Sequence, residues 1–332
     1  KIVESAEVRQ RLTMPVCIEL MRTALKELEE GRFTQPVRSI ALLPGGEKFG
    51  FMPAWLGDCF GAKVLSAFPQ NAGTAYPSHI GYVMLFEAEH GSFLGMADAS
   101  VITEVRTGAV SGVATDLLAR PDAHRLAIIG AGAQGRSHLA AMTAVRDIRS
   151  VAVYDQNPQA AQRYCTEMSA QYGIPVTAAS CVQEAVEGAD IICTLTPSKD
   201  PYLEAGWIAP GAHINAVGAC SATARELSSD LVARCLLYGD SIESVEKESG
   251  DYLIPLSEGV IQKGHLRGTI GQLLCGEITG RTSAQDVTLF DALGLAIEDV
   301  ACAKYLYLAG KGENFAHIEQ EGGTLGPFPG KV

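Results

Sequence analysis

The chain has 332 residues, is 47% hydrophobic and 19% charged, and carries a formal net charge of −12, enough length for two packed domains of a soluble globular protein. The negative balance, without clustered lysines and arginines, argues against general nucleic-acid or anionic-membrane binding, and no apolar run reaches membrane-spanning length. Nine cysteines without a CxxC pair read as reduced thiols, and seven dispersed histidines show no zinc-ligand spacing, so no metal is expected.

In chain order, KIVESAEVRQ lacks the apolar core of a signal peptide, which with the reduced cysteines makes the cytoplasm the expected location. PVCIELMRTALKELEE, residues 15–30, follows helical periodicity and stops at Gly31. Five strand candidates follow, Val37 to Leu43, Lys48 to Met52, Ala62 to Ala67, Gly81 to Glu87 and Phe93 to Ala97, separated by glycine and proline turns. Thr103 is placed to cap a helix running to Ala119, with Val105, Ala109, Val113 and Leu117 along one face. This part reads as an α+β domain that Pro121 closes.

HRLAIIGAGAQGRSH, residues 124–138, is the most informative stretch. An apolar strand runs into Gly130, Gly132 and Gly135, which open a helix. Gly130 serves the tight turn, Gly132 the close approach of backbone to a pyrophosphate, and Gly135 the packing of helix on strand. Ala133 and Gln134 complete the turn as cofactor-binding candidates, and the helix amino terminus offers N–H groups and a favourable dipole to phosphate. SVAVYD, residues 150–155, is a second strand ending on an acid. Asp155 is therefore expected to hold the adenosine ribose hydroxyls, and its charge favours NAD(H), with NADP(H) the alternative.

Strands and helices then alternate. Asn157 is placed to cap a helix to Gly173, and Ser180 with Gln183 forms a capping box for a helix to Glu187. Strands are expected over Asp190 to Thr196, His213 to Val217 and Leu236 to Gly239, giving a mostly parallel, doubly wound Rossmann sheet. Thr196, Val217 and Gly218, at the ends of these strands, join the cofactor-binding candidates. Ala284 to Leu308 reads as one long apolar helix that packs back on the first domain. The expected fold class is therefore α/β, with a Rossmann domain over 121–299 and a discontinuous α+β domain from 1–120 plus about 300–332, whose glycine-rich tail is either partly disordered or lies across a partner.

The chain resembles the ornithine cyclodeaminase and mu-crystallin family, nearer to its mu-crystallin side. The resemblance is carried by QPVR (35–38), FMPA (51–54), AKVL (62–65), PSH (77–79), VITEVRTGAVSGVAT (101–115), GAGAQGRSH (130–138), PGAHINAVGA (210–219) and KESGD (247–251). It implies a homodimer joined through the amino-terminal domains. It also implies that Arg38, Lys63 and Arg106 bind the carboxylate of an amino or imino acid beside the nicotinamide, a task suited to planar guanidinium forks. Two arginines near Lys63 are expected to lower its pKa towards the range useful for proton donation, making it the candidate acid. Met52 and His79 are substrate-side candidates, each also readable as packing or as a satisfied histidine of the fold. Cys220 stands where the cyclodeaminases carry an aspartate that serves the substrate amino group, and a neutral thiol gives a diamine no anionic handle. The resemblance thus points to reduction of cyclic ketimines such as Δ1-pyrroline-2-carboxylate or Δ1-piperideine-2-carboxylate. An ornithine cyclodeaminase, an alanine-type dehydrogenase and a small-ligand-binding protein stay open as alternatives.

Overall fold

Two sheets organise the computed structural model, in which residues 1–71, 74, 76 and 78–310 are described. The first has six strands, β1 (Ile2–Val3), β2 (Ser39–Leu42), β3 (Lys48–Trp55), β4 (Cys59–Ala67), β5 (His79–Glu87) and β6 (Phe93–Asp98), in the order β1-β6-β5-β4-β3-β2. Only the β1–β6 pair is parallel. Alternation along these strands sends one set of side chains inward: Met52 pairs with Lys63, Lys63 with Val83 and Val83 with Ala97, a single buried row across four strands.

The second sheet has eight strands, β7 (Arg125–Ile129), β8 (Ser150–Tyr154), β9 (Val176–Ala178), β10 (Ile191–Thr194), β11 (His213–Ala216), β12 (Leu236–Gly239), β13 (Leu266–Thr269) and β14 (Thr288–Asp291). Their order is β13-β12-β14-β11-β10-β7-β8-β9, and every pairing is parallel. The central strands read as unbroken apolar runs because helices cover both faces of such a sheet. The chain winds outward from β7 through β8 to β9, then returns to place β10 on the other side of β7. That reversal opens a crevice at the carboxyl ends of β7 and β10.

Several sequence expectations need correction. The run read as one helix from Ala284 to Leu308 contains β14, a turn at Gly294 with φ +82°, and a helix over only Ala296–Ala309. An apolar stretch buried on all sides lacks the polar spacing that separates helix from strand, and β14 lies between β11 and β12 where both faces are covered. The central helix spans Ala99–Leu118, capped by Asp98, whose side chain accepts from Val101 N at 2.8 Å, and not by Thr103. Its burial is not confined to one face, since Ile102, Arg106, Val110 and Ala114 are buried along with Ala109 and Val113. Ser180 bonds Glu184 in place of Gln183, and the helix beside it covers only Val182–Val186. Asn157 caps Pro158–Tyr172 as expected, with Gly173 left-handed at its end.

The closing helix Ala296–Ala309 packs on β3, β4, β5 and β6 and on the helices Met14–Glu29 and Ala99–Leu118. The last part of the chain thereby completes the core of the first sheet, and Gln35 Oε1 accepts from Ile297 N at 2.9 Å where that helix begins. From residue 311 on, the glycine-rich tail lies outside the described residues.

Candidate active site

The dinucleotide side of the cleft is built from backbone. Gly130 ends β7 with φ +113°, a conformation open to glycine, and a Cβ there would sit 3.0 Å from Leu195 O. Gly132 has open space where its Cβ would be, and it caps the helix Ala133–Val145 without any side-chain bond to the first-turn amides. Gly135 lies against Gly130 O and Ile128, and its own carbonyl accepts from Tyr164 Oη at 2.8 Å. Gln134 Oε1 is buried without a hydrogen-bond partner. An open glycine and helix amides that no side chain caps together fit a bound pyrophosphate. Asp155 follows β8 and accepts from Ala131 N and Asn157 N, each at 2.8 Å, which sets its carboxylate against the glycine turn.

Across the crevice, one carboxylate that sequence reasoning missed joins the loops that follow β10 and β11. Glu226, fully buried, accepts from Thr194 Oγ1 (2.8 Å), Thr196 N and Oγ1 (both 2.7 Å), Tyr202 Oη (2.6 Å) and Gly218 N (2.8 Å). A Cβ on Gly218 would lie 2.7 Å from Glu226 Oε1 and against the Thr196 backbone, so the two candidate loops are held in contact.

The acid-binding candidates form the other side. Lys63 is 2% exposed, and its Nζ lies 2.7 Å from Asp299 Oδ2 and 3.4 Å from Thr103 Oγ1. Arg106, on the central helix, donates from Nη1 to Glu298 Oε2 at 2.7 Å and from Nε to Asp299 Oδ1 at 3.2 Å. Asp299 thus spans Lys63 with one oxygen and Arg106 with the other. Arg38 donates from Nε to Glu248 Oε1 at 2.9 Å and from Nη1 to Leu293 O at 3.0 Å, leaving Nη2 buried and unpartnered. These cations are no surface charges; their burial requires the matching carboxylates.

The environments tune each group. Burial lowers the Lys63 pKa, Asp299 opposes the shift, and of the two arginines expected to lower it, Arg106 contributes. Burial works against the Arg106 charge, but Asp299 and Glu298 outweigh it and hold its pKa above the ordinary value. Burial pushes Glu298 up to about 7 against the pull of Arg106, and its Oε1 has no partner.

Met52 shares the cross-strand row of Lys63 and lines a small cavity with Arg38, Glu248, Ser244 and Gly294. Cys220 links the two sides: exposed to the cleft, its Sγ lies 3.4 Å from Val217 O and 3.9 Å from Ala292 O. Although part of the residue reaches solvent, the protein packed around the sulfur pushes its thiol up to about 11, which keeps it neutral. His79 stands apart, exposed at the start of β5 and paired with Ala67, on the Lys63 face but at its rim; burial and the charges of Lys63 and Lys48 lower its pKa. The missed partners left one readable trace: Glu298 and Asp299 are adjacent acids inside a mostly apolar helix, a pattern that asks for buried cations.

The strand order, the glycine turn and the neighbouring charged cleft define an α/β protein of the Rossmann class with a second, largely antiparallel sheet that carries Lys63. The ornithine cyclodeaminase/mu-crystallin family model matches residues 1–313, and the chain belongs to that family. Ketimine reductase mu-crystallin from Mus musculus is 36% identical over 281 residues, 84% of this chain and 86% of that protein. The structure of Thermococcus litoralis Δ1-pyrroline-2-carboxylate reductase in complex with NADH and L-proline superposes with a TM-score of 0.90 at 36% identity, covering 94% of this chain and 98% of that one. An archaeal alanine dehydrogenase dimer with bound NAD gives 0.89 at 30% identity, over 94% of this chain and 96% of that one.

Proposed function

We propose that this protein reduces cyclic ketimines carrying an adjacent carboxylate, Δ1-pyrroline-2-carboxylate or Δ1-piperideine-2-carboxylate, to L-proline or L-pipecolate with NAD(H). The observation that carries the reading is the shared carboxylate of Asp299, which binds Lys63 and Arg106 together while Arg38 keeps a buried donor free. The relatives named for ketimine and Δ1-pyrroline-2-carboxylate reduction support the reaction. In this reading Gly130, Gly132, Ala133, Gln134 and Gly135 cradle the pyrophosphate, Asp155 takes the ribose hydroxyls, and Thr196, Val217 and Gly218 flank the nicotinamide. Residues 1–120 with the closing segment form the acid-binding and dimerising unit, and 121–299 the nucleotide unit.

The nicotinamide, when bound, supplies the hydride. Arg38 and Arg106 grip the substrate carboxylate, and a bidentate guanidinium grip fixes the carbon beside it. Lys63 gives a proton to the ring nitrogen, because charge left on nitrogen in a dry site is costly. Asp299 keeps that ammonium oriented, and its burial eases loss of the proton. Cys220, neutral, offers no partner to the second amino group of a diamine, which disfavours cyclodeamination.

The first sheet supports a homodimer. Its outer face, opposite Lys63, exposes Phe49, Phe51, Phe60, Ile80, Tyr82 and Phe93, an apolar surface of the kind that a second copy covers. A reducing, cytoplasmic setting suits nine free thiols. Purified protein is expected to oxidise NADH with either cyclic imine and to prefer NADH to NADPH. Ammonia release from ornithine, or NAD reduction with alanine and no imine turnover, overturns the assignment.

A further inference from the structure

We propose that Asp240 is a positioning residue for the substrate carboxylate, acting through the Leu293–Gly294 turn that both arginines touch. This rests on the reading of Arg38 and Arg106 as carboxylate grips.

Neighbouring parallel strands set up the geometry. Gly239 at the end of β12 pairs with Asp291 at the end of β14, so Asp240 lies beside the chain as it leaves β14. Asp240 is 3% exposed, and its Oδ2 accepts from two successive amides, Leu293 N at 2.7 Å and Gly294 N at 2.6 Å. Gly294 has φ +82°, which belongs to the class of turn whose consecutive N–H groups converge on one anion. The carbonyl of Leu293 then accepts from Arg38 Nη1 at 3.0 Å. Gly294 lies flat against the other guanidinium, since a Cβ there would sit 2.7 Å from Arg106 Nη1 and 3.0 Å from Nη2.

One buried carboxylate therefore fixes a short piece of backbone, and that piece fixes the spacing of two guanidinium groups that come from distant parts of the chain. Asp240 touches neither substrate nor cofactor in this scheme. It is set apart from the ion-pair partners Glu248, Glu298 and Asp299 because its bonded oxygen is spent on amides, and its other oxygen has no partner. What Asp240 supplies is an acceptor, and an amide oxygen accepts as well.

The test compares Asp240→Ala, Asp240→Asn and Gly294→Ala in the full chain. Readouts are KM for Δ1-pyrroline-2-carboxylate, the dissociation constant for NADH by fluorescence, and calorimetric binding of pyrrole-2-carboxylate to the NADH-loaded protein. With two buried amides unpaired, Asp240→Ala is expected to weaken imine and pyrrole-2-carboxylate binding by about tenfold or more while NADH binding stays within about twofold. Asp240→Asn keeps the acceptor and is expected to stay within about threefold of the wild type on every readout. Gly294→Ala, strained and crowding Arg106, is expected to follow Asp240→Ala.

The proposal is overturned if Asp240→Ala binds the acid normally, or if Asp240→Asn is as impaired as Asp240→Ala, which would make charge and not the turn the operative feature. Should Asp240→Ala fail to fold, a near-normal Asp240→Asn beside an impaired Gly294→Ala supports the proposal, and any other pairing contradicts it. A wild-type protein that binds pyrrole-2-carboxylate but reduces no imine removes the reductase reading alone, and the same affinities then judge Asp240. A wild type that binds no carboxylate removes both.

Discussion

The two sides of the cleft are made in different ways. The phosphate-binding part of the dinucleotide side comes from one continuous stretch, 124–138, with Asp155 close behind, and its key features are backbone conformations. The acid-binding side is assembled from Arg38, Lys63, Arg106, Asp240, the Leu293–Gly294 turn and Asp299, with hydrogen bonds that join residues 193 and 255 positions apart. Local backbone constraints leave a readable motif, whereas a buried ion-pair network leaves only isolated charges until the chain has folded. Robustness differs accordingly: a buried pair that loses one member leaves an uncompensated charge behind.

The largest effect is expected at Asp299. Asp299→Ala strips both Lys63 and Arg106, so kcat for imine reduction should fall by ~10³-fold and stability by about 3–5 kcal/mol, as seen in steady-state rates and urea denaturation. Unchanged stability would mean that the network is less tightly coupled than its geometry requires.

On the dinucleotide side, Asp155→Arg is expected to reverse the preference between NADH and NADPH by about tenfold or more in kcat/KM, because the charge facing the adenosine ribose changes sign. A preference that does not move would place the discriminating charge elsewhere. Glu226→Gln should act more weakly and on the cofactor alone. An amide turns an N–H towards donors that Glu226 now accepts, loosening Thr196 and Gly218 and raising KM for NADH by about tenfold, with KM for the imine within about threefold. Equal effects on both substrates would erase the division between the two sides.

The smallest effect is on stability. Burial raises the Asp291 carboxyl from 3.8 to about 7, with Ser249 donating to it and Asp240 and Glu226 adding to the rise. A carboxyl raised in the folded state contributes stability below its unfolded pKa and loses it as pH climbs through the folded value. Asp291→Asn cannot ionise, so its Tm should gain on that of the wild type between about pH 5 and pH 8. A gap that is constant or narrows would mean that Asp291 ionises freely in place.

How much was legible follows the same division. Gly130, Gly132 and Gly135 were legible as a turn because such a turn depends on the residues themselves, and Gly130 has φ +113° while a Cβ on Gly135 would meet Gly130 O. Five of the six strands of the first sheet were legible from their apolar runs and turn residues; four extend by one to three positions at an end, and the first is shorter than expected, Ser39–Leu42. The parallel strand Thr288–Asp291 was not, since complete burial removes the polar spacing that marks an element. Arg38, Lys63 and Arg106 stood out through family resemblance, while Glu226, Asp240, Glu248, Glu298 and Asp299 did not. A buried carboxylate is recognised by what it touches: Glu248 and Glu298 meet arginines from distant parts of the chain, and Glu226 and Asp240 meet backbone amides that only the folded strand ends bring near.

The most direct test is a crystal structure of the protein with NADH and L-proline. The proline carboxylate is expected within about 3 Å of the Arg38 and Arg106 guanidinium nitrogens, with the ring nitrogen facing Lys63 and the α-carbon over the nicotinamide. A carboxylate bound elsewhere, with Lys63 and Arg106 still closed on Asp299 and remote from both ligands, would contradict this.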